Sequence, residues 1–86
     1  MSDLLEKFKQ TVEFVQNSDA DFTPSNELKL EMYALFKQAT EGDVSGKKPG
    51  MMDLVGKAKY GAWSKIKGME QEEAMQVYID KVEAHL

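Results

Sequence analysis

Thr23-Pro24-Ser25-Asn26-Glu27-Leu28-Lys29-Leu30-Glu31-Met32-Tyr33-Ala34-Leu35-Phe36-Lys37-Gln38-Ala39-Thr40-Glu41-Gly42 is the stretch whose reading decides the fold. Leu28, Met32, Leu35/Phe36 and Ala39 recur at steps of three and four, the period of an α-helix with one apolar face. Thr23 reads as the N-cap, and Pro24 as the first helical residue, where a missing N–H costs nothing. Gly42 is placed to stop the helix.

The same period extends outward on both sides. Upstream, Leu4/Leu5, Phe8, Thr11/Val12 and Val15 predict a first helix, broken by Asn17-Ser18-Asp19-Ala20-Asp21. Downstream, residues 43–53 hold Gly46, Pro49 and Gly50 and no period, which predicts a long connection across the domain. A third helix is expected from about Leu54 to Ile66, with Ala58, Ala62 and Trp63 buried and Gly68 at its end. A fourth runs from about Gln71 to the C-terminus, with Ala74/Met75, Tyr78/Ile79, Val82 and Leu86 in register. Glu70, Glu72 and Glu73 suit its positive N-terminal end, and Lys81 lies nearer its negative one. No stretch reads as a strand. The fold class is all-α, a four-helix bundle.

Composition limits what such a bundle does. Eighty-six residues make one domain, residues 1–86, and 42% hydrophobic content is too high for a disordered chain. With no cysteine, neither disulfides nor thiolate metal ligands are available. The longest unbroken apolar run, Met32 to Phe36, is far short of the roughly 20 residues a membrane span needs. The N-terminus lacks the basic and apolar regions of a signal peptide, so the expected setting is soluble and intracellular.

Charge is uneven. Val44–Gly68 holds six lysines (Lys47, Lys48, Lys57, Lys59, Lys65, Lys67) against Asp53 alone, a net of +5, while the rest of the chain carries −9. That contrast suits either a local anion site or a solvated lysine face. The chain has no arginine, the commonest reader of bases, and its net charge is −4, so nucleic acid is not an expected partner.

Catalytic chemistry is missing. The one histidine, His85, is penultimate, and no serine stands in a nucleophile motif. Asp19 and Asp21 lack calcium-loop spacing, and no glycine-rich phosphate loop occurs. Binding is therefore the expected class, with no catalytic residue, metal or cofactor. Tyr33 and Lys37, four residues apart, share a helix face on which a phenol and an ammonium can grip one phosphate. Lys59 beside Tyr60, and Tyr78, offer similar groups on later helices. Tyr33, Phe36 and Tyr78 fit core packing as well as ligand contact, and spacing leaves both open.

Three blocks together carry a resemblance. Pro24-Ser25-Asn26-Glu27 through Met32-Tyr33-Ala34-Leu35-Phe36-Lys37-Gln38-Ala39-Thr40-Glu41-Gly42-Asp43-Val44 is the first. Lys48-Pro49-Gly50-Met51-Met52-Asp53, with Gly56-Lys57-Ala58-Lys59-Tyr60 and Ala62-Trp63, is the second, and Glu73-Ala74-Met75 with Tyr78-Ile79 the third. In order and spacing the chain resembles the acyl-CoA-binding protein family over nearly its whole length. The resemblance implies an up-down-down-up bundle with a long connection between helices 2 and 3. It also implies a cytoplasmic, monomeric carrier and pool former for medium- and long-chain acyl-CoA thioesters in fatty acid metabolism, without chemistry on the ligand or stable membrane insertion.

By that resemblance Tyr33 and Lys37 hold the adenine nucleotide and its 3′-phosphate, with Phe36 on the same surface. Lys59 adds positive charge, Tyr78 contacts the ligand from the last helix, and Ala34 and Leu35 lie within the contact stretch. Gln16 and Val55 occupy positions where the family often has lysine, Phe36 replaces a frequent tyrosine, and Tyr60 a frequent tryptophan. Met32, Met51, Met52, Leu28 and Val12 are candidates to line the acyl tail, since methionine adapts to varied chain lengths. The rival reading is a helical protein-interaction module that exposes an apolar groove and ignores CoA.

Overall fold

The computed structural model describes residues 2–17, 24–46 and 48–85. It contains α1 (Ser2–Asn17), α2 (Asn26–Glu41), α3 (Leu54–Lys65) and α4 (Gln71–Ala84), and no strand among the described residues. The turn expected after Asn17 and the N-cap expected at Thr23 lie outside the described residues, as does Leu86.

α2 begins two residues later than its sequence suggests. Ser25, in extended backbone, is the N-cap: its hydroxyl accepts the Leu28 N–H at 3.2 Å, satisfying a donor that the first turn leaves free. Pro24 precedes the cap, so it shapes the entry to the helix and is not its first residue. At the other end Gly42 has φ +86°, a conformation that a side chain disfavours, and its N–H closes on the Gln38 carbonyl at 3.1 Å.

Contacts between helices fix their directions. Gln38, late in α2, bonds the Met69 carbonyl before α4, while Glu31, early in α2, pairs with Lys81 late in α4 at 2.7 Å. The two helices are therefore antiparallel. Lys59 sits against Tyr33, and Trp63 Nε1 donates to the Gly42 carbonyl at 2.9 Å, so α3 runs parallel to α2. Phe8 meets Phe36, and Val12 and Gln16 share a cleft with residues nearer the start of α2, so α1 opposes α2. The result is the up-down-down-up bundle, with the long connection at residues 42–53.

The core gathers Phe8 from α1, Leu28, Met32, Leu35 and Ala39 from α2, and Ala74, Tyr78, Ile79 and Val82 from α4. Removing each larger side chain from water contributes about 1.5–3 kcal/mol. α3 contributes little to this core, burying Trp63 alone. Ala58, expected inside, is exposed, because its face of α3 looks onto an open cleft.

One polar knot ties the helix ends together. The fully buried Gln38 side chain donates to Asp43 Oδ1 at 2.9 Å and to the Met69 carbonyl at 2.7 Å. Asp43 Oδ1 also accepts the Gly68 N–H at 2.8 Å. The Gln38 bond, then the Gly68 N–H and the nearby Lys67 charge, hold the Asp43 carboxyl below the usual carboxylate range. The end of α2 is thereby joined to the turn between α3 and α4.

Candidate functional site

Five consecutive candidates, Tyr33 to Lys37, occupy one and a half turns of α2, and about 100° per residue points them different ways. Tyr33, Phe36 and Lys37 line a cleft of about 520 Å³ on the side of α2 that faces α1. Ala34 and Leu35, only 2% and 3% exposed, face the other way and floor a second cleft of about 660 Å³ between α3 and α4. One stretch of sequence thus serves two surfaces.

The first cleft collects most of the candidates. Gln16 from α1, Tyr33, Phe36 and Lys37 from α2, and Tyr78 from α4 all line it. Val12, Val15 and Met32 add apolar wall. Phe36 stacks on Phe8 with centroids 6.3 Å apart, and Phe8 in turn meets Tyr78 edge-on at 5.2 Å. Tyr78 is only 4% exposed, and burial pushes its phenol up to about 12, so it remains a neutral donor across the physiological range.

Lys37 lines this cleft, and Lys59 stands beside its Tyr33 wall. Lys59 Nζ, on α3, lies 5.1 Å from the centre of the half-buried Tyr33 ring. Lys37 Nζ bonds the Glu41 carboxylate one turn on and lies 5.3 Å from the centre of the Trp63 ring. The Glu41 hydrogen bond, against some desolvation, raises the Lys37 pKa and keeps the ammonium charged.

The structure adds one cation to those picked from sequence. Lys29 lines the same cleft and is exposed. Lys29, Tyr33 and Lys37 form one stripe at i, i+4 and i+8, a spacing visible in the sequence once Tyr33 is taken as the reference. Val55 stands apart: it is 65% exposed on the first turn of α3 and lines neither cleft. Of the tail candidates, Met32 and Val12 wall the first cleft, Leu28 is core, and Met51 and Met52 project into solvent.

The second cleft adjoins the first. Leu30 follows Lys29 on α2, and Ala58 precedes Lys59 on α3; both line the second cleft, beside Ala34 and Ala62. Lys29, Tyr33 and Lys37 thus lie on one side of α2, and Leu30, Ala34 and Leu35 on the other. Among the described residues no group of three or more histidines or acids is placed to hold a metal ion.

These features define a small all-α domain built around open clefts. The family described as acyl CoA binding protein matches residues 5–82. The chain is 46% identical over 82 residues to an acyl-CoA-binding protein homolog of Manduca sexta, covering 94% of this chain and 89% of that one. It is 51% identical over 59 residues to human enoyl-CoA delta isomerase 2, a stretch that makes up 15% of that longer protein. Its structure resembles the crystal structure of Oryza sativa acyl-CoA-binding protein 2, with a TM-score of 0.87, 40% identity, and coverage of 96% of this chain and 88% of the other. The chain belongs to the acyl-CoA-binding protein family.

Proposed function

We propose that residues 1–86 form an acyl-CoA-binding domain that carries medium- and long-chain acyl-CoA thioesters without reacting with them. The observation that carries this reading is the convergence of Lys29, Tyr33 and Lys37 on α2 with Lys59 on α3, with an apolar-walled cleft on either side of α2. The lysines and the Tyr33 hydroxyl take the 3′-phosphate, the Tyr33 and Phe36 rings take the adenine, and Tyr78 closes the cleft from below. The tail is assigned to the apolar surface continuing past Leu30 and Ala58 between α2 and α3.

The energetics fit a ligand charged at one end and apolar at the other. A tail of about 16 carbons, at up to about 0.8 kcal/mol per methylene, supplies on the order of 10 kcal/mol before ordering costs. Each charge-assisted hydrogen bond to the phosphate adds about 1.5–3 kcal/mol. The tail then sets affinity, and the phosphate separates the thioester from a free fatty acid. The domain acts alone as a monomer in the cytoplasm, as a carrier and pool former.

Calorimetric titration with palmitoyl-CoA and palmitate tests the reading. Tight binding of the first and weak binding of the second is the expected result. Equal affinities would show that the cations do not read the nucleotide. Affinity should also climb with acyl length and level off where the cleft ends.

A further inference from the structure

The cleft reading leaves the most exposed large apolar side chains among the described residues unused. Met51 is 83% exposed, Met52 94%, Leu54 74% and Val55 65%, four apolar groups within five residues. Elsewhere among the described residues the exposed large hydrophobics are Leu5 and Phe14, at 41% and 38%. Such clustering marks an interaction surface, whereas scattered exposed apolar residues do not.

Local structure holds the cluster outward. The Asp53 N–H donates to the Gly50 carbonyl at 3.0 Å, closing a turn that puts Met51 and Met52 at its tip. Asp53 then caps α3, its Oδ1 accepting the Gly56 N–H at 2.9 Å. That carboxylate packs so closely on Gly56 that a side chain there would have to displace it from the cap. With the helix start fixed, Leu54 and Val55 stand on a first turn that leaves both largely in solvent.

Charge selects what covers this patch. Lys48, Lys57 and Lys59 flank it, all exposed, and the only acid of the 44–68 segment is the capping Asp53. The rest of the chain is net −9, so an anionic surface is drawn to the 44–68 segment more than to the remainder of the chain. Protein interfaces concentrate binding in Trp, Tyr and Arg. Here the tip carries flexible methionines ringed by lysines, chemistry suited to a fluid anionic sheet into which apolar tips dip while ammonium groups stay at the headgroups.

We propose that the Met51–Val55 tip and its flanking lysines dock the protein peripherally on anionic lipid bilayers. The contact is interfacial and does not span. Val55 and Lys59 share a face of α3, and Lys59 lies over Tyr33, so docking turns the cleft mouth toward the lipid. The proposal goes beyond acyl-CoA binding and does not need it.

The experiment is co-sedimentation of the ligand-free protein with phosphatidylcholine vesicles, with and without about 30% phosphatidylserine. Binding to the anionic vesicles alone is expected, weakened about ten-fold or more by about 0.5 M salt and by Met51→Ser/Met52→Ser. Circular dichroism confirms that the double variant remains helical. No binding to anionic vesicles, equal binding to neutral ones, or a double variant that binds like the parent overturns the proposal. A dimer in sedimentation equilibrium that the double variant abolishes would assign the patch to a second copy, and would also overturn it. Because no acyl-CoA is present, each of these outcomes is separate from the palmitoyl-CoA titration.

Discussion

α4 and α3 are similar in length and both pack on α2, yet they are held in opposite ways. α4 buries Ala74, Tyr78, Ile79 and Val82, all of them in the core. α3 buries Trp63 alone, with an Asp53 cap at one end and the Trp63–Gly42 hydrogen bond near the other. A helix anchored at its ends leaves its side chains free for a ligand or a surface. A helix anchored along its length spends them on the core.

The sharpest way to break this comparison is to truncate one residue on each helix. Ile79→Ala should cost about 2–5 kcal/mol in urea unfolding, since the side chain is fully buried. Leu54→Ala, at a 74% exposed position, should change stability by less than about 0.5 kcal/mol. Similar losses at both sites would mean that α3 is packed along its length after all.

Lys37→Ala is expected to weaken palmitoyl-CoA binding by about 1.5–3 kcal/mol, the range for a hydrogen bond to a charged group. Against acyl-dephospho-CoA the penalty should largely vanish, because protein and ligand then lack the same interaction. If both ligands lose equally, Lys37 does not read the 3′-phosphate.

Tyr78 provides the next effect, on the α4 side. Burial lifts its folded-state value from 10.0 to about 12, so the folded protein holds this proton more tightly than the unfolded chain. The associated stability is full below pH 10 and is lost as pH rises through about 12, on the order of 2 kcal/mol. Chemical unfolding across that range should show the decline, and Tyr78→Phe should remove this group's share of it.

The smallest effect belongs to Glu41, which pairs with Lys37 on the exposed side of α2. A phosphate must share or replace that partner. Glu41→Gln should therefore strengthen palmitoyl-CoA binding by up to about 0.5 kcal/mol, measured by the same calorimetry. A weaker complex would show that Glu41 positions the lysine and does not compete for it.

Sequence reading recovered the four helices because helical period is a local property; Tyr33, Phe36, Lys37 and Tyr78, singled out by resemblance, all line one cleft. It missed Lys29, since a lysine on an amphipathic helix reads as solvated until its neighbour across the cleft is known. It placed Ala58 inside because alanine at helical spacing does not reveal whether a partner helix lies opposite. It also placed the start of α2 at Thr23-Pro24, where Ser25 offered a competing cap only two residues on.

The sequence by itself determined which segments coil and where Gly42 ends α2. It also determined the charge contrast between residues 44–68 and the rest, since composition does not depend on folding. Only the tertiary structure decided that Ala34 and Leu35 turn away from Tyr33 and Lys37, that Lys59 meets Tyr33, and that Met51 and Met52 face solvent. Those facts depend on how helices distant in sequence pack, and packing is set by the sum of many weak contacts that no single stretch of chain contains.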